Sequence, residues 1–316
     1  VLNFVYCLDK NYNIQALTSI NSLLERIDEK VNIHIIHDDP DSLNLNHLKN
    51  SGKASITKHY LNLDSHKFPN LKGAHVSKAT YFRLFISELL PDNLDFIIYI
   101  DADIVCLNNP IKELKQSISQ IKNSKHKLAA KTEHYKSEVP EEKQNSFNIL
   151  NLSGNKYFNA GVLIVDYQYW LKKGVENKLL KILEEYYEKI KFWDQDILNK
   201  FFDGKYIELT NMLNFDFGIY DKDKFNEHFI YENVFFTHFN GKGKPWSLQN
   251  ILFDSSEIYQ KEYRKLEIKY YHITYNYELR HLKKYISNLL NFNFLKLEKP
   301  FIYLKLSFKT IFNIKA

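Results

Sequence analysis

Ten residues, Phe96 to Val105, constrain this chain more than any other stretch. Phe96-Ile97-Ile98-Tyr99-Ile100 is an unbroken apolar run with three β-branched members, the composition of a buried strand. It passes directly into Asp101-Ala102-Asp103. On an extended backbone alternate side chains point the same way, so carboxylates at i and i+2 are expected to reach one point together. Two hard oxygen donors at the end of a core strand make half of a divalent-cation site. In an open α/β sheet the ligand crevice lies at the carboxyl ends of the strands. An Asp-x-Asp taken alone is short and common, and reads more readily as an acidic turn capping the next element.

The rest of the N-terminal half supplies a frame for that strand. Residues 2–8 read as a first strand. Residues 14–26 read as a helix, with Ile14, Leu17, Ile20, Leu23 and Leu24 on one stripe. Val31 to His37 and residues 54–61 read as further strands, with a short helix over Leu43 to Leu48 between them. A helix is expected over 75–90, starting near Ser77 and ended by Pro91. This alternation predicts an α/β fold with a mostly parallel sheet and helices on both faces. No Gly-x-Gly-x-x-Gly or Walker sequence occurs, so phosphate must be held without a glycine-rich loop.

Further along, 125–150 reads as a polar excursion near the site. Tyr157 to Val165 reads as another strand, and 175–190 as a charged amphipathic helix. Asp194 is expected to cap the helix that follows Phe192-Trp193. A late strand leads to His238 and the loop Gly241-Lys242-Gly243-Lys244-Pro245-Trp246. Beyond about 256 the chain turns helical, basic and aromatic. We therefore divide it into a catalytic domain, 1–256, and a C-terminal region, 257–316.

A chain of 316 residues with 44% hydrophobic residues can bury a substantial core. Cys7 and Cys106, its two cysteines, each follow a predicted strand and read as small core residues in a protein of a reducing compartment. No signal peptide is visible, and no apolar run reaches the length of a membrane span. The chain begins at Val1 and has Met212 as its single methionine, so the natural start is expected to be missing or processed. The net charge of +5 is uneven: residues 257–316 hold twelve Lys and Arg against five Asp and Glu. Concentrated basic charge points to an anionic partner or to a solvated basic helix.

Pieces far apart in sequence fit one crevice. Asp101 and Asp103 offer carboxylate oxygens and His238 a nitrogen, leaving positions on a cation open for phosphate oxygens. Mn²⁺ tolerates this mixed set better than Ca²⁺, and Mg²⁺ is a second candidate. Lys244 adds a point charge, and Gly241 and Gly243 let backbone amides approach an anion.

The motifs Asp9-Lys10-Asn11-Tyr12, Thr80-Tyr81-Phe82-Arg83-Leu84, Tyr99 to Asp103, Tyr157-Phe158-Asn159-Ala160-Gly161-Val162, Asp194-Gln195-Asp196 and His238 through Trp246 occur in one order over residues 1 to about 250. With them the chain resembles the family 8 glycosyltransferases, in particular bacterial lipopolysaccharide galactosyl- and glucosyltransferases. The resemblance implies a GT-A fold and a UDP-sugar donor, UDP-galactose or UDP-glucose. It places Asp9 and Asn11 at the uridine, Arg83 on the donor, and Asp101, Asp103 and His238 on Mn²⁺. Lys244 and Gly241 go to the diphosphate, and Asn159, Asp194 and Gln195 surround the transferred sugar. Where the family usually has an Asp touching that sugar, this chain has Glu133. Each residue also has a plainer reading, such as a helix cap for Asp194, a turn for Asn159, a surface ion pair for Arg83 and core packing for Trp246.

The resemblance further implies retention at the anomeric carbon. Double displacement needs a carboxylate nucleophile, and Asp194 is the candidate. Same-face attack, with Gln195 stabilising an oxocarbenium-like state, is the preferred course. In the tail, Phe301, Leu304, Phe308, Ile311 and Phe312 are expected on one helical face with Lys305 and Lys309 on its flank, suited to an anionic membrane surface. A helix packed on the catalytic domain or on a dimer partner is the alternative. The expected protein is cytoplasmic and peripheral on the inner face of the bacterial inner membrane. Its expected partners are a UDP-sugar and a glycolipid or oligosaccharide acceptor, with no nucleic acid. Rival functions are a metal-dependent nucleotidyltransferase and a non-catalytic membrane adaptor with a decayed site.

Overall fold

The apolar runs at the start of the chain form β1 (Leu2–Leu8), β2 (Val31–His37) and β3 (Ala54–Tyr60), with α1 (Asn13–Arg26) between the first two. These come from a computed structural model that describes residues 1–49, 52–69, 71, 77–138, 145–217 and 226–313. Strands β4 (Phe96–Ile100), β5 (Ile104–Cys106), β6 (Leu128–Tyr135), β7 (Lys156–Asp166), β8 (Ile207–Glu208), β9 (Phe215–Asp216) and β10 (Phe236–His238) follow. The main sheet has the order β3-β2-β1-β4-β7-β6-β8, and β5-β10-β9 form a small second sheet. In the main sheet every pairing is parallel except those of β7, which runs antiparallel between β4 and β6.

The reversed strand matters for function. Because β7 is antiparallel to β4, its beginning, rather than its end, lies at the carboxyl end of β4. The Asp101 N–H donates to Gly161 O at 2.9 Å, fixing that register. Helices α2 (Ile111–Lys122), α3 (Asn145–Ile149), α4 (Tyr167–Lys172), α5 (Val175–Glu185), α6 (Trp193–Phe202) and α7 (Glu227–Asn233) complete the N-terminal 250 residues. Two apolar clusters form. One joins α1, α2 and the small sheet, and the other joins α4 through α6. Ile98 and Ile100 of β4 lie in the first and Ile97 in the second, all essentially without exposure. Full burial of such a side chain contributes about 1.5–3 kcal/mol.

Several expectations change. The strand from Phe96 does not continue through Asp103. The chain turns at 101–103, with the Ile104 N–H donating to Asp101 O at 3.2 Å, and β5 leaves for the other sheet. A turn, not strand alternation, brings the two carboxylates together. The helix expected over 75–90 is a 3₁₀ run, Lys78–Glu88, capped by the Ser77 side chain and broken at Phe85. Tyr81, Phe82, Arg83 and Leu84 are all buried, so this segment has no single apolar stripe to favour a regular α-helix. The Leu43 to Leu48 helix is one 3₁₀ turn at Leu45–His47. The expected excursion over 125–150 contains β6, whose polar Lys131, Thr132, Glu133 and His134 conceal a central strand; residues 139–144 lie outside the described residues.

Helix α1 buries its polar side as well as its stripe, because α8 (Asp254–Arg264) packs on it. Arg26 Nη2 lies 2.6 Å from Glu262 Oε1 across that contact. A third cluster, Leu248, Ile251, Tyr271, Tyr285 and Tyr303, seats α9 (Leu279–Leu290) and α10 (Pro300–Ile311). Here too the expected face divides. Tyr303 and Ser307 are buried, with Leu304 and Ile311 against the cluster, while Phe301, Phe308 and Phe312 point outward. No helix among the described residues is long and apolar enough to cross a membrane.

Candidate functional site

A cleft of about 390 Å³ opens where β1, β4, the start of β7, the N-terminal turn of α6 and the end of β10 meet. Asp9, Arg83, Asp101, Asp103, Glu133, Asn159, Asp194, Gln195, His238, Gly241 and Lys244 line it. Asn11 is exposed beyond this lining. Its N–H donates to Asp9 Oδ1 at 2.9 Å, so Asp9 caps a turn as well as facing the cleft.

At the centre stand Asp101, Asp103 and His238, whose ligand atoms all lie within 4.8 Å of one another. His238 Nε2 is 3.3 Å from Asp103 Oδ1 and 3.8 Å from Asp101 Oδ2. Adjacent ligands on a small octahedral cation at ~2.1 Å stand about 3 Å apart, so the donor set fits such an ion with slight contraction. Each carboxylate commits its other oxygen to a protein cation. Asp101 Oδ1 accepts from Arg83 Nη2 at 2.7 Å and from the Tyr99 hydroxyl at 2.6 Å. Asp103 Oδ2 accepts from Lys244 Nζ, which also donates to Phe239 O at 2.9 Å. Burial works against a charged Asp103, yet Lys244 and His238 hold it well below the usual carboxylate range. Burial likewise opposes protonation of His238, but Asp103 beside it raises its pKa above the ordinary value.

Two glycines permit this geometry. A Cβ on Gly161 would meet His238 Cε1 at 2.3 Å, so only glycine lets the ring come this close to β7. Gly241, at φ +69°, turns the loop that carries Lys244 through the left-handed region.

On the other side Arg83 lines the cleft while largely buried. Besides Asp101 it donates to Ala160 O at 2.6 Å, lies 3.8 Å over the Tyr99 ring, and stands 2.9 Å from Asp194 Oδ2, though poorly aligned there for a hydrogen bond. Asp194 does not cap its helix. Phe192 holds the cap position and Asp194 sits in the first turn, where its Oδ1 accepts from the Thr80 hydroxyl at 2.5 Å. Asp196 takes the backbone role, accepting from the Lys191 and Phe192 N–H groups. Burial pushes the Asp194 carboxyl up to about 6, despite Arg83 and Thr80.

Gln195 Oε1 accepts from the Ala160 N–H at 2.9 Å, and its Nε2 donates to Glu133 Oε2 at 3.1 Å. Asn159 Nδ2 approaches the same Glu133 oxygen at 3.5 Å. Three further contributors escaped the sequence reading: Thr80, the Tyr99 hydroxyl and Asn214. The first two lie inside motifs already singled out. Asn214 lies in no motif and has no sequence signal beyond its type.

Comparison with known proteins gives the same picture. The model for glycosyl transferase family 8 matches residues 3–250. A lipopolysaccharide 1,2-glucosyltransferase of Escherichia coli is 30% identical over 259 residues, covering 77% of this chain and 73% of that protein. A lipopolysaccharide 1,3-galactosyltransferase of Salmonella typhimurium is 28% identical over 251 residues, covering 77% and 72%. The crystal structure of the galactosyltransferase LgtC with donor and acceptor sugar analogs superposes with a TM-score of 0.65 at 20% identity, covering 83% of this chain and 95% of that one. The fold is GT-A.

Proposed function

Because this chain belongs to glycosyl transferase family 8, we propose that it moves a hexose, galactose or glucose, from a UDP-sugar to a saccharide acceptor of lipopolysaccharide core type, with retention of configuration. The observation that carries this reading is the convergence of Asp101, Asp103 and His238 on one point of a cleft. Two carboxylates and an imidazole suit Mn²⁺, with Mg²⁺ as the second candidate. A bound divalent cation would neutralise the charge that develops on a departing diphosphate. Family membership disfavours both the nucleotidyltransferase and the decayed adaptor.

This chain's own residues divide the remaining work. Lys244 has three donors, of which Asp103 and Phe239 O use two. The third can meet a phosphate oxygen, with Gly241 beside it. Asp9 and Asn11 serve the uridine end. Glu133, Asn159 and Gln195 hold the sugar, and Glu133 Oε1 remains available to accept from a hydroxyl. Both Asp194 oxygens face protein groups, Thr80 and Arg83. That favours same-face attack over a covalent intermediate on Asp194. The Gln195 carbonyl keeps a lone pair beyond the one on Ala160 N–H and can face positive charge developing at the anomeric carbon. The acceptor proton then passes to the leaving phosphate oxygen.

The tail supports attachment to an anionic membrane surface. Phe301 and Phe308 on α10 and Phe312 at its end stand outward with Lys305 exposed among them, and Leu290, Phe292 and Leu295 are exposed as well. Apolar rings ringed by lysines suit an interface with acidic headgroups. The proposed location is therefore the cytoplasmic face of the inner membrane, where a glycolipid acceptor would lie.

The test is a donor screen for UDP release with and without Mn²⁺, on the wild type and on Asp101→Asn and Asp103→Asn. We expect Mn²⁺-dependent release from one UDP-hexose, reduced at least 100-fold in either variant. Near-normal metal-dependent transfer by either variant would overturn the site assignment.

A further inference from the structure

A histidine that ligates a metal through one ring nitrogen needs its other nitrogen protonated and held. In His238 the nitrogen facing Asp101 and Asp103 is Nε2. Nδ1 lies 2.9 Å from Asn214 Oδ1. Which of these two atoms holds the hydrogen follows from a chain of contacts that starts at a donor with no freedom. The backbone N–H of Gly161 donates to Asn159 Oδ1 at 2.9 Å. That oxygen also stands 3.0 Å from the Asn214 side chain, which must therefore present its Nδ2 donor there. Its carbonyl is left facing His238, so Nδ1 must carry the hydrogen.

The polarity cannot reverse cheaply. Asn214 is 1% exposed and His238 3%. A flipped Asn214 amide would set oxygen against oxygen at Asn159, whose Oδ1 is already fixed by the Gly161 N–H. Each buried polar group left without a partner costs about 1–3 kcal/mol.

We propose that Asn214 is a positioning residue that locks His238 in the Nδ1–H tautomer and turns the Nε2 lone pair toward the cation position. The inference rests on the reading of Asp101, Asp103 and His238 as a cation site. The arrangement makes one backbone amide of β7 the reference for both ends of the cleft. Through Asn159 it reaches toward Glu133 at the sugar end, and through Asn214 it reaches the imidazole.

Two measurements on the full chain test it. The first is the neutral-ring tautomer of His238 from long-range ¹H–¹⁵N correlation of histidine-labelled protein without metal, at a pH where the ring is uncharged. We expect Nδ1–H in the wild type and a tautomer mixture in Asn214→Leu. The second is Mn²⁺ affinity by electron paramagnetic resonance. Loss of an outer partner of a ligating histidine costs about 10–100-fold in metal affinity, and we expect that loss in Asn214→Leu. Asn214→Asp keeps an acceptor on Nδ1, although its second oxygen then faces Asn159, so it should hold the Nδ1–H tautomer and bind Mn²⁺ more tightly than Asn214→Leu.

A wild-type ring protonated on Nε2, or an Asn214→Leu protein with unchanged tautomer and Mn²⁺ affinity, would overturn the proposal. Should Asn214→Leu fail to fold, the wild-type tautomer still decides. Mn²⁺ binding that survives Asp103→Asn would instead remove the cation-site reading, and the metal-free tautomer measurement separates the two failures.

Discussion

Arg83 Nη2 donates to Asp101 Oδ1 at 2.7 Å, so the first carboxylate of the Asp-x-Asp pair is held from below by a buried guanidinium. The same planar group reaches Asp194 and the Ala160 carbonyl, joining the 3₁₀ run, β4, β7 and α6 at one point. The resemblance implied that Arg83 touches the donor. It lines the cleft, and from there it also supports Asp101 and Asp194.

That support predicts a strong asymmetry between substitutions. Lysine is a point charge and cannot span two carboxylates and a carbonyl. Arg83→Lys should fold but lose about 100-fold in kcat/KM, equivalent to about 2.7 kcal/mol. Arg83→Met leaves Asp194 buried beside Asp101 with no cation, and removing one partner of a buried pair costs about 3–5 kcal/mol. Urea unfolding with a UDP-release assay separates the two effects. Wild-type activity in Arg83→Lys would show that the fork is dispensable.

Gly161 offers a sharper geometric test. A methyl group there would meet His238 Cε1 at 2.3 Å and Nδ1 at 2.6 Å, and the ring cannot retreat without leaving Asn214. Gly161→Ala should therefore weaken Mn²⁺ binding at least tenfold, with a modest loss of stability. Calorimetric titration with Mn²⁺ and a thermal melt measure both. Unchanged Mn²⁺ affinity would mean that the imidazole is not a ligand.

These cases show what was legible in the sequence. The bounds of β1 and β2 could be read directly, since unbroken apolar runs leave little choice. Asp101, Asp103 and His238 were legible because their residue types and element ends carry chemistry. Strand β6 was not, since its polar residues, Glu133 of the cleft among them, imitate a loop. Asn214 was not, because its function exists only through Asn159 and His238, which lie 55 and 24 residues away. Burial of the polar side of α1 was not legible either, because nothing local announces that α8 covers it.

Acid should destabilise the fold through its buried histidines. Burial, with His59 adding to it, pushes the His34 pKa down to about 4. Burial pushes His272, packed against Trp246 and Tyr263, down to about 3. Above pH 6.5 both rings are neutral whether folded or not, and contribute no pH dependence. Below it the unfolded chain takes up protons that the folded chain refuses, so stability falls toward pH 4. Asp194 opposes this. Its folded pKa of about 6 exceeds the ordinary value of 3.8, so between those limits the folded chain binds the extra proton and gains stability as pH drops. Burial also lowers His37 and His59 and raises the Glu176 carboxyl. Each group contributes about 1.4 kcal/mol per pH unit within its window, and these histidines outnumber the two carboxyls, which leaves a net loss between about pH 6 and 4. Urea midpoints across that range should fall, less steeply in His272→Gln and more steeply in Asp194→Asn. Midpoints that rise as pH drops would contradict the assignment.

The tail is best tested by point substitution. Truncating near residue 285 would remove Tyr303, whose hydroxyl donates to Leu248 O at 3.3 Å and whose ring fills the third cluster. Loss of vesicle binding in such a protein could reflect damage to the loop that carries Lys244. Phe301, Phe308 and Phe312 are 76%, 55% and 60% exposed, so changing all three to serine should leave the thermal midpoint nearly unmoved. Burying a phenylalanine fully contributes about 1.5–3 kcal/mol, and even partial insertion of three makes a tenfold loss of vesicle affinity a minimum expectation. Co-sedimentation with phosphatidylglycerol-containing vesicles reads this directly. Wild-type binding should also weaken as salt screens the lysines, and should fall further with vesicles of neutral lipid. If the triple variant pellets with acidic vesicles as well as the wild type does, α10 is not the attachment surface, and its exposed rings need another partner.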